Sequence, residues 1–491
     1  MRNRSIAAAM SVALAAAGCA TLGAGRTFRC PAQGGPVWHE LATEHFVLRT
    51  DLDVEDARAL LVRLERHRAA IVSALFAEAR PPPGRAEVVA FRSWEEYRDL
   101  APPGVDAYYL RSAGGPPRIV LSAEMARYQR TLLSHELAHH YLAGAFARQP
   151  RWLAEGLACY VESLALEPGA GALVVGRPPP DRLARARRTP VPVAELLAWS
   201  GLPAPNMTAH YASSWLLVHY LVHRHGEAFA RYQERLARGE DPARAWIAEL
   251  PELDPGRPGA LEALDRTLAR YARGAVETSS RAAPEPSAGV ALDQRMPSAE
   301  VHALRLALWP HGPDRGARAL RDEIAEALRE SPHHPVALEM KSRVDGDDPL
   351  PLARRAVSAH PDDPRGWTFL AGSLEGVAAA AEREAAYRRA ADLAPENPAA
   401  LHNLAADLLE GGRSGEALPL ARRAAQLAPW SPPLLRTYAA VLSDLGRCAE
   451  AIPVQERAID VVPEGTGREV FAALRLDLDK YLKQCGRTAA Q

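Results

Sequence analysis

The chain has 491 residues, too many for one compact core at roughly 150 residues per domain, so about three folding units are expected. With 60 Asp plus Glu against 59 Lys plus Arg, the formal net charge is -1, which excludes a globally electrostatic grip on nucleic acid. A hydrophobic fraction of 47% and a charged fraction of 24% exclude wholesale disorder and a polytopic membrane protein, and 6% aromatics are too few for a large all-β protein.

At the N-terminus, Arg2 and Arg4 precede an apolar stretch from Ser5 to Ala17, and the small residues Ala16-Ala17-Gly18 stand directly before Cys19. That is the layout of a bacterial export signal over residues 1–19, followed by a tether over 20–36. The run is too short and Ala-rich to span a bilayer stably. Small residues before a cysteine resemble the lipobox of bacterial lipoproteins, with Ala16 in place of the usual Leu. The resemblance implies a lipid anchor at Cys19 and, since Ala20 follows instead of Asp, a place on the periplasmic side of the outer membrane. Ordinary cleavage, giving a secreted or periplasmic protein, and an uncleaved segment are the alternatives. Cys30, Cys159, Cys448 and Cys485 are then left to pair in an oxidising compartment or to stay idle. Cys448 with Cys485 is the pair to test, since both lie in C-terminal segments expected to pack together. The chain has no CxxC.

From residue 37 to 275, short apolar runs alternate with amphipathic helical patterns, which predicts a mixed α and β domain. Phe46-Val47-Leu48, Glu87 to Phe91 and Arg118 to Leu121 read as strands. Leu60, Leu61, Leu64, Ile71 and Leu75 share one helical face. The composition then shifts to Thr, Ser, Ala, Pro and Gly, predicting a linker over 276–298. Everything beyond reads as helical. Pro361, Pro395, Pro429 and Pro463 recur every 34 residues, and Trp367, Leu401 and Leu435 correspond, as do Leu374, Leu408 and Leu442, and Ala390, Ala424 and Ala458. The period and the alternation of large and small residues are similar to the tetratricopeptide repeat, a pair of antiparallel helices, with Arg383 departing where a small residue is expected. Residues 299–360 read as degenerate helical pairs, and 361–491 as repeats with a capping helix. The resemblance implies a protein partner bound through the repeats.

His135-Glu136-Leu137-Ala138-His139 carries the chemistry. Residues four apart on a helix project from one face, so the two imidazoles can share a metal ion, and Glu136 can reach a water beside it. A tetrahedral catalytic zinc takes three protein ligands, and the best third candidate is Glu155, on a second helix predicted to open after Pro150. His140 points about 100° from His139 and is expected at the surface or behind the ligands. His210, His219, His223 and His225 are expected to be structural.

HELAH followed by Trp152-Leu153-Ala154-Glu155-Gly156-Leu157-Ala158 resembles the gluzincin metallopeptidases of the peptidase MA superfamily. The resemblance implies an α+β zincin-like catalytic domain ahead of the all-α helical repeat domain. It implies Zn2+ held by His135, His139 and Glu155, with Glu136 as general base and acid in the hydrolysis of a peptide or protein substrate. It implies, too, that Arg118 to Leu121 is the edge strand that aligns an extended substrate. Tyr211 resembles a tyrosine that similar enzymes place near the site to stabilise an oxyanion; core packing is its other reading. Cys159 stands where some relatives carry a supporting carboxylate, which leaves the partners of the two histidines open. The rival function is a non-catalytic lipoprotein scaffold acting through its repeats, and hydrolysis of a non-peptide amide also fits the motif.

Overall fold

The computed structural model describes residues 28–76, 85–101, 107–110, 118–123, 130–167, 171–199, 206–285, 289–309, 317–376, 379–463 and 466–488. The segment expected to be an export signal, with Cys19, lies outside them. No described helix is long and apolar enough to cross a membrane.

The N-terminal half is built on β1 (His39–Ala42), β2 (Phe46–Thr50), α1 (Val54–Leu75), β3 (Ala86–Phe91), α2 (Trp94–Leu100), β4 (Ala107–Leu110) and β5 (Arg118–Ser122). β2, β3 and β5 run parallel, and β1 and β4 are antiparallel to their neighbours. One face of the sheet presents Leu41, Phe46, Leu48, Val88, Ala90 and Ile119 to Leu60, Leu61, Leu64 and Ile71 of α1. The other face packs Trp38, Val89, Phe91 and Val120 against α2 and against Val301, Leu304 and Leu308 of a later helix. Because β3 is buried on both faces, its sequence is apolar without alternation except at Glu87, whose carboxylate is paired with Arg49 and Arg118.

Helices α3 (Arg130–Ala145) and α4 (Arg151–Val161) follow, then the hairpin β6 (Ala165–Glu167) and β7 (Ala172–Val175), and a helical layer of α5 (Pro180–Arg188), α6 (Val193–Leu197), α7 (Met207–Arg224), α8 (Gly226–Ala237), α9 (Pro242–Glu249) and α10 (Ala260–Arg273). Two expectations need correction. Arg118 to Leu121 is not an edge: β5 pairs with β3 on one side and with β4 on the other, through Tyr109 opposite Ile119, so β4 closes that end of the sheet. The segment expected to be a bare linker holds two strands, β8 (Ser279–Ala282) and β9 (Leu292–Arg295), which extend the β6–β7 sheet and the main sheet respectively. All eight residues are exposed, so they are held by the backbone ladder and by polar side-chain contacts such as Arg58 with Asp293 and Arg281 with the Ser73 carbonyl, and no apolar alternation marks them in the sequence.

The C-terminal half is a TPR-like helical repeat. The helices are α11 (Ser298–Leu308), α12 (Ala317–Glu330), α13 (Pro335–Asp345), α14 (Pro349–Ala359), α15 (Pro364–Ser373), α16 (Ala380–Leu393), α17 (Pro398–Glu410), α18 (Ser414–Leu427), α19 (Pro432–Asp444), α20 (Cys448–Asp460) and α21 (Arg468–Thr488). Pro364, Pro398 and Pro432 open successive units at the first helical position, where the missing N–H costs nothing, and the Asp363 and Asn397 side chains cap the exposed amides. Ala390, Ala424 and Ala458 are all buried, small enough for the two helices of each pair to close. Arg383 reaches out of its pair to the Asp407 carboxylate on α17, which accommodates a long side chain at a small-residue position. Cys448 and Cys485 form a disulfide between α20 and α21, whereas Cys30 and Cys159 are buried free thiols.

α4 and α7 approach closely at Gly156 on α4. A Cβ there would lie 2.6 Å from the Val218 side chain and 2.7 Å from the Ser214 carbonyl, both on α7. Gly156→Ala is therefore expected to force the two helices apart and to cost about 1–3 kcal/mol, read as a lower midpoint in denaturant unfolding.

Candidate metal centre

Every residue of α4 is buried, including Arg151 and Glu155. Charges in such a place must be compensated. Arg151 and Glu155 lie one turn apart with Nε and Oε1 at 3.2 Å, and the second carboxylate oxygen of Glu155 faces α3. There the four-residue spacing sets His135 and His139 on one side of the helix, their Nε2 atoms 3.1 Å apart. Glu155 Oε2 stands 3.5 Å from His135 Nε2 and 3.3 Å from His139 Nε2.

Three donor atoms thus form a nearly regular triangle. Donors at tetrahedral corners around a cation with bonds of about 2.0–2.2 Å are separated by about 3.3–3.6 Å, so the set suits a small divalent metal. Two neutral imidazole nitrogens and one carboxylate are the donor types zinc takes in hydrolytic centres. Glu155 Oε2 is buried and makes no well-aligned hydrogen bond, an orphaned acceptor facing the two imidazole nitrogens. The residues fit the group.

Behind the triangle the sequence reading had no partner for the histidines. The structure supplies Glu162, just past the end of α4: its Oε1 lies 2.8 Å from His135 Nδ1. Arg182 of α5 grips the same carboxylate with both ends of its guanidinium, Nε to Oε2 at 2.5 Å and Nη2 to Oε1. A carboxylate on the far nitrogen fixes the ring and leaves Nε2 free for a ligand. Glu155, Cys159 and Glu162 recur at helical spacing along α4 and its C-terminal cap, so the signal was present four residues beyond Ala158, where the motif ends. Cys159 contributes a buried thiol against His135.

Charge balance follows. Burial works against a charged His135, but Cys159, Glu155 and Glu162 around it hold its pKa well above the ordinary histidine value. Burial likewise opposes ionisation of Glu155, and the charges of His139 and Arg151 outweigh it, holding the carboxyl well below its usual range. Glu162 is lowered by its contacts with His135 and Arg182 against the same opposing burial.

Glu136 is half-buried on α3 and has no hydrogen-bond or ion-pair partner among the described residues. Tyr211 on α7 places its ring edge-on to His135, centroids 6.2 Å apart, with the Arg182 guanidinium 5.9 Å from its centre. β4, the edge strand, packs against α3. His140 is not at the surface: it is buried with its ring 4.9 Å from Trp430 of the repeat half. The four histidines expected to be structural belong to neither cluster of metal-capable donors among the described residues. His210 bonds the Asn206 carbonyl, His223 the Tyr160 hydroxyl, and His225 lies near Glu252.

The profile of the family described as "Protein of unknown function (DUF1570)" matches residues 131–242, a span that contains His135, Glu136, His139, Glu155, Glu162, Arg182 and Tyr211. No curated protein matches the chain. Similar solved structures include a thermophilic TPR protein of Thermus thermophilus, with 18% identity over 38% of this chain and 96% of that one and a TM-score of 0.29. Pseudomonas aeruginosa pilF has 15% identity over 39% and 97%, with a TM-score of 0.29, and yeast Tom70 has 13% over 62% and 64%, with a TM-score of 0.31.

His219 offers a test of this half's packing away from the triangle. It is fully buried, with Nε2 2.9 Å from the Gly176 carbonyl and Nδ1 2.9 Å from the Tyr271 hydroxyl, and burial pushes its pKa from 6.5 down to about 4. The unfolded chain therefore takes up this proton first, so stability falls as pH drops from about 6.5 towards 4, by up to about 3 kcal/mol. Denaturant unfolding at several pH values in that window is expected to show the loss, and His219→Gln to flatten it.

Proposed function

We propose that the N-terminal half is a zinc-dependent peptidase whose helical repeats bind a protein partner. The observation that carries this reading is the triangle of His135, His139 and Glu155 with its orphaned carboxylate oxygen, set beside the unpaired Glu136. A zinc ion held by these three residues supplies Lewis acidity, polarising a carbonyl and acidifying water.

The chain's own groups do the rest. Glu136, with no partner among the described residues, takes a proton from the attacking water and returns it to the leaving amine. Glu162 and Arg182 keep the His135 ring in place with Nε2 presented. Tyr211 stands close enough to His135 to face a carbonyl oxygen as it gains charge. Among the described residues β4 pairs with β5 alone, and an extended peptide can add to its other side as a further strand. An acylated Cys19 holding the protein on the periplasmic side of the outer membrane belongs to the same reading.

The stacked helix pairs of the C-terminal half favour a second reading, in which the whole chain is a docking platform without catalysis. Metal analysis of the purified chain, with peptide-library cleavage, separates the two. About one zinc per chain is expected, with Glu136→Gln keeping the metal and losing about a hundredfold or more of the cleavage rate. Cleavage that persists in Glu136→Gln rejects the base, and zinc without cleavage in the native chain favours the platform. Glu162→Ala removes the support of His135 and is expected to weaken zinc about 10–100-fold in a chelator competition.

A further inference from the structure

The connection between the two ligand-bearing helices, residues 146–150, is fastened by the other end of the chain. Asp460 at the end of α20 accepts the Gln149 backbone N–H at 2.9 Å and Arg148 Nε at 3.0 Å. Arg148 Nη1 also donates to Glu456 at 2.7 Å, and Arg457 donates to the Ala143 carbonyl. Ala143 shares an apolar cluster with Trp430, Leu404 and Leu408 of the repeats. Gln149 is buried, so without Asp460 its N–H would be left unsatisfied.

One contact reaches the centre itself. Arg151 Nη1 donates to the Val462 carbonyl, just past α20, at 3.0 Å, while Nε of the same guanidinium lies 3.2 Å from Glu155 Oε1. A single buried side chain therefore joins the last repeat to the carboxylate that completes the triangle. Its other face lies over the Trp199 ring, 5.7 Å from the centroid, which limits where it can go.

We infer that the last repeat regulates the metal centre: the docking of α20 sets the position of Glu155 through Arg151, a positioning residue, and so sets how tightly the triangle holds a cation. This rests on the metal-site reading above. Nothing that binds α20 needs to approach the triangle to alter it. Displacing the end of the helix removes the Val462 carbonyl from Arg151 and the Asp460 carboxylate from the loop, and loosens the guanidinium that sets one side of Glu155.

The test compares the full chain with Asp460→Asn/Glu456→Gln, with Glu456→Gln alone, and with Glu396→Gln as a control that breaks only the exposed pair with Arg423. Zinc is titrated against a fluorescent chelator, and amide hydrogen exchange is followed over residues 143–155. The double variant is expected to bind zinc about tenfold or more weakly, as loss of support behind a ligand does, with faster exchange confined to that segment. Glu456→Gln, which keeps both Asp460 bonds, is expected to fold normally and shift affinity less, in the same direction. The control is expected to match the native chain. Native-like zinc affinity in both interface variants overturns the inference and spares the metal reading; a native chain that binds no zinc overturns the metal reading and the inference with it.

Discussion

Two carboxylates inside the N-terminal half, Glu155 and Glu162, must be neutralised where water cannot do it, and the way they are neutralised organises the rest of the molecule. Along α4 the buried charges alternate: Arg151, Glu155, the imidazoles of α3, Glu162, then Arg182. Each negative group lies between positive or protonatable neighbours. A buried pair broken on one side leaves an uncompensated charge, so the string holds its members in register far more firmly than any one contact would. It also recruits distant parts of the chain. α5 is needed for its arginine, α7 approaches because Gly156 lets it, and the repeats arrive to satisfy the outer end of Arg151.

The sheet serves this arrangement from below. α1 covers one face and supports α3, and α2 with the first repeat helix seals the other. The edge strand β4 comes to rest beside α3 because β5 is occupied on both sides. A rigid platform of this kind holds side chains on helices to tighter tolerances than loops would.

Periodic features were legible in the sequence: the α1 stripe, the strands at Phe46, Glu87 and Arg118, and the 34-residue spacing that sets the helix starts at Pro364, Pro398 and Pro432. The meeting of His135 with His139 follows from helical geometry, and Glu155 from the helix after Pro150. What stayed hidden depends on tertiary pairing. Nothing local announces β8 and β9, whose residues are exposed and held by backbone bonds and surface polar contacts instead of buried apolar side chains. His140 looked peripheral because the surface it covers belongs to Trp430, nearly three hundred residues away. Glu162 carried a helical-periodicity signal, but Cys159 stood at the position where support was sought. The edge role passed from Arg118–Leu121 to β4 because sequence shows a strand's existence more readily than its neighbours.

The two exposed strands between the halves have a consequence for how this protein can evolve. The chain leaves α10, adds one strand to the small sheet and one to the large sheet, and then lays α11 over Trp38 and Phe91. There is no neutral seam at which the front half could be exchanged for another as a cassette. Any recombination that grafted this helical array elsewhere would have to carry both strands and α11 across the junction, or leave an open sheet margin and a bare aromatic face behind.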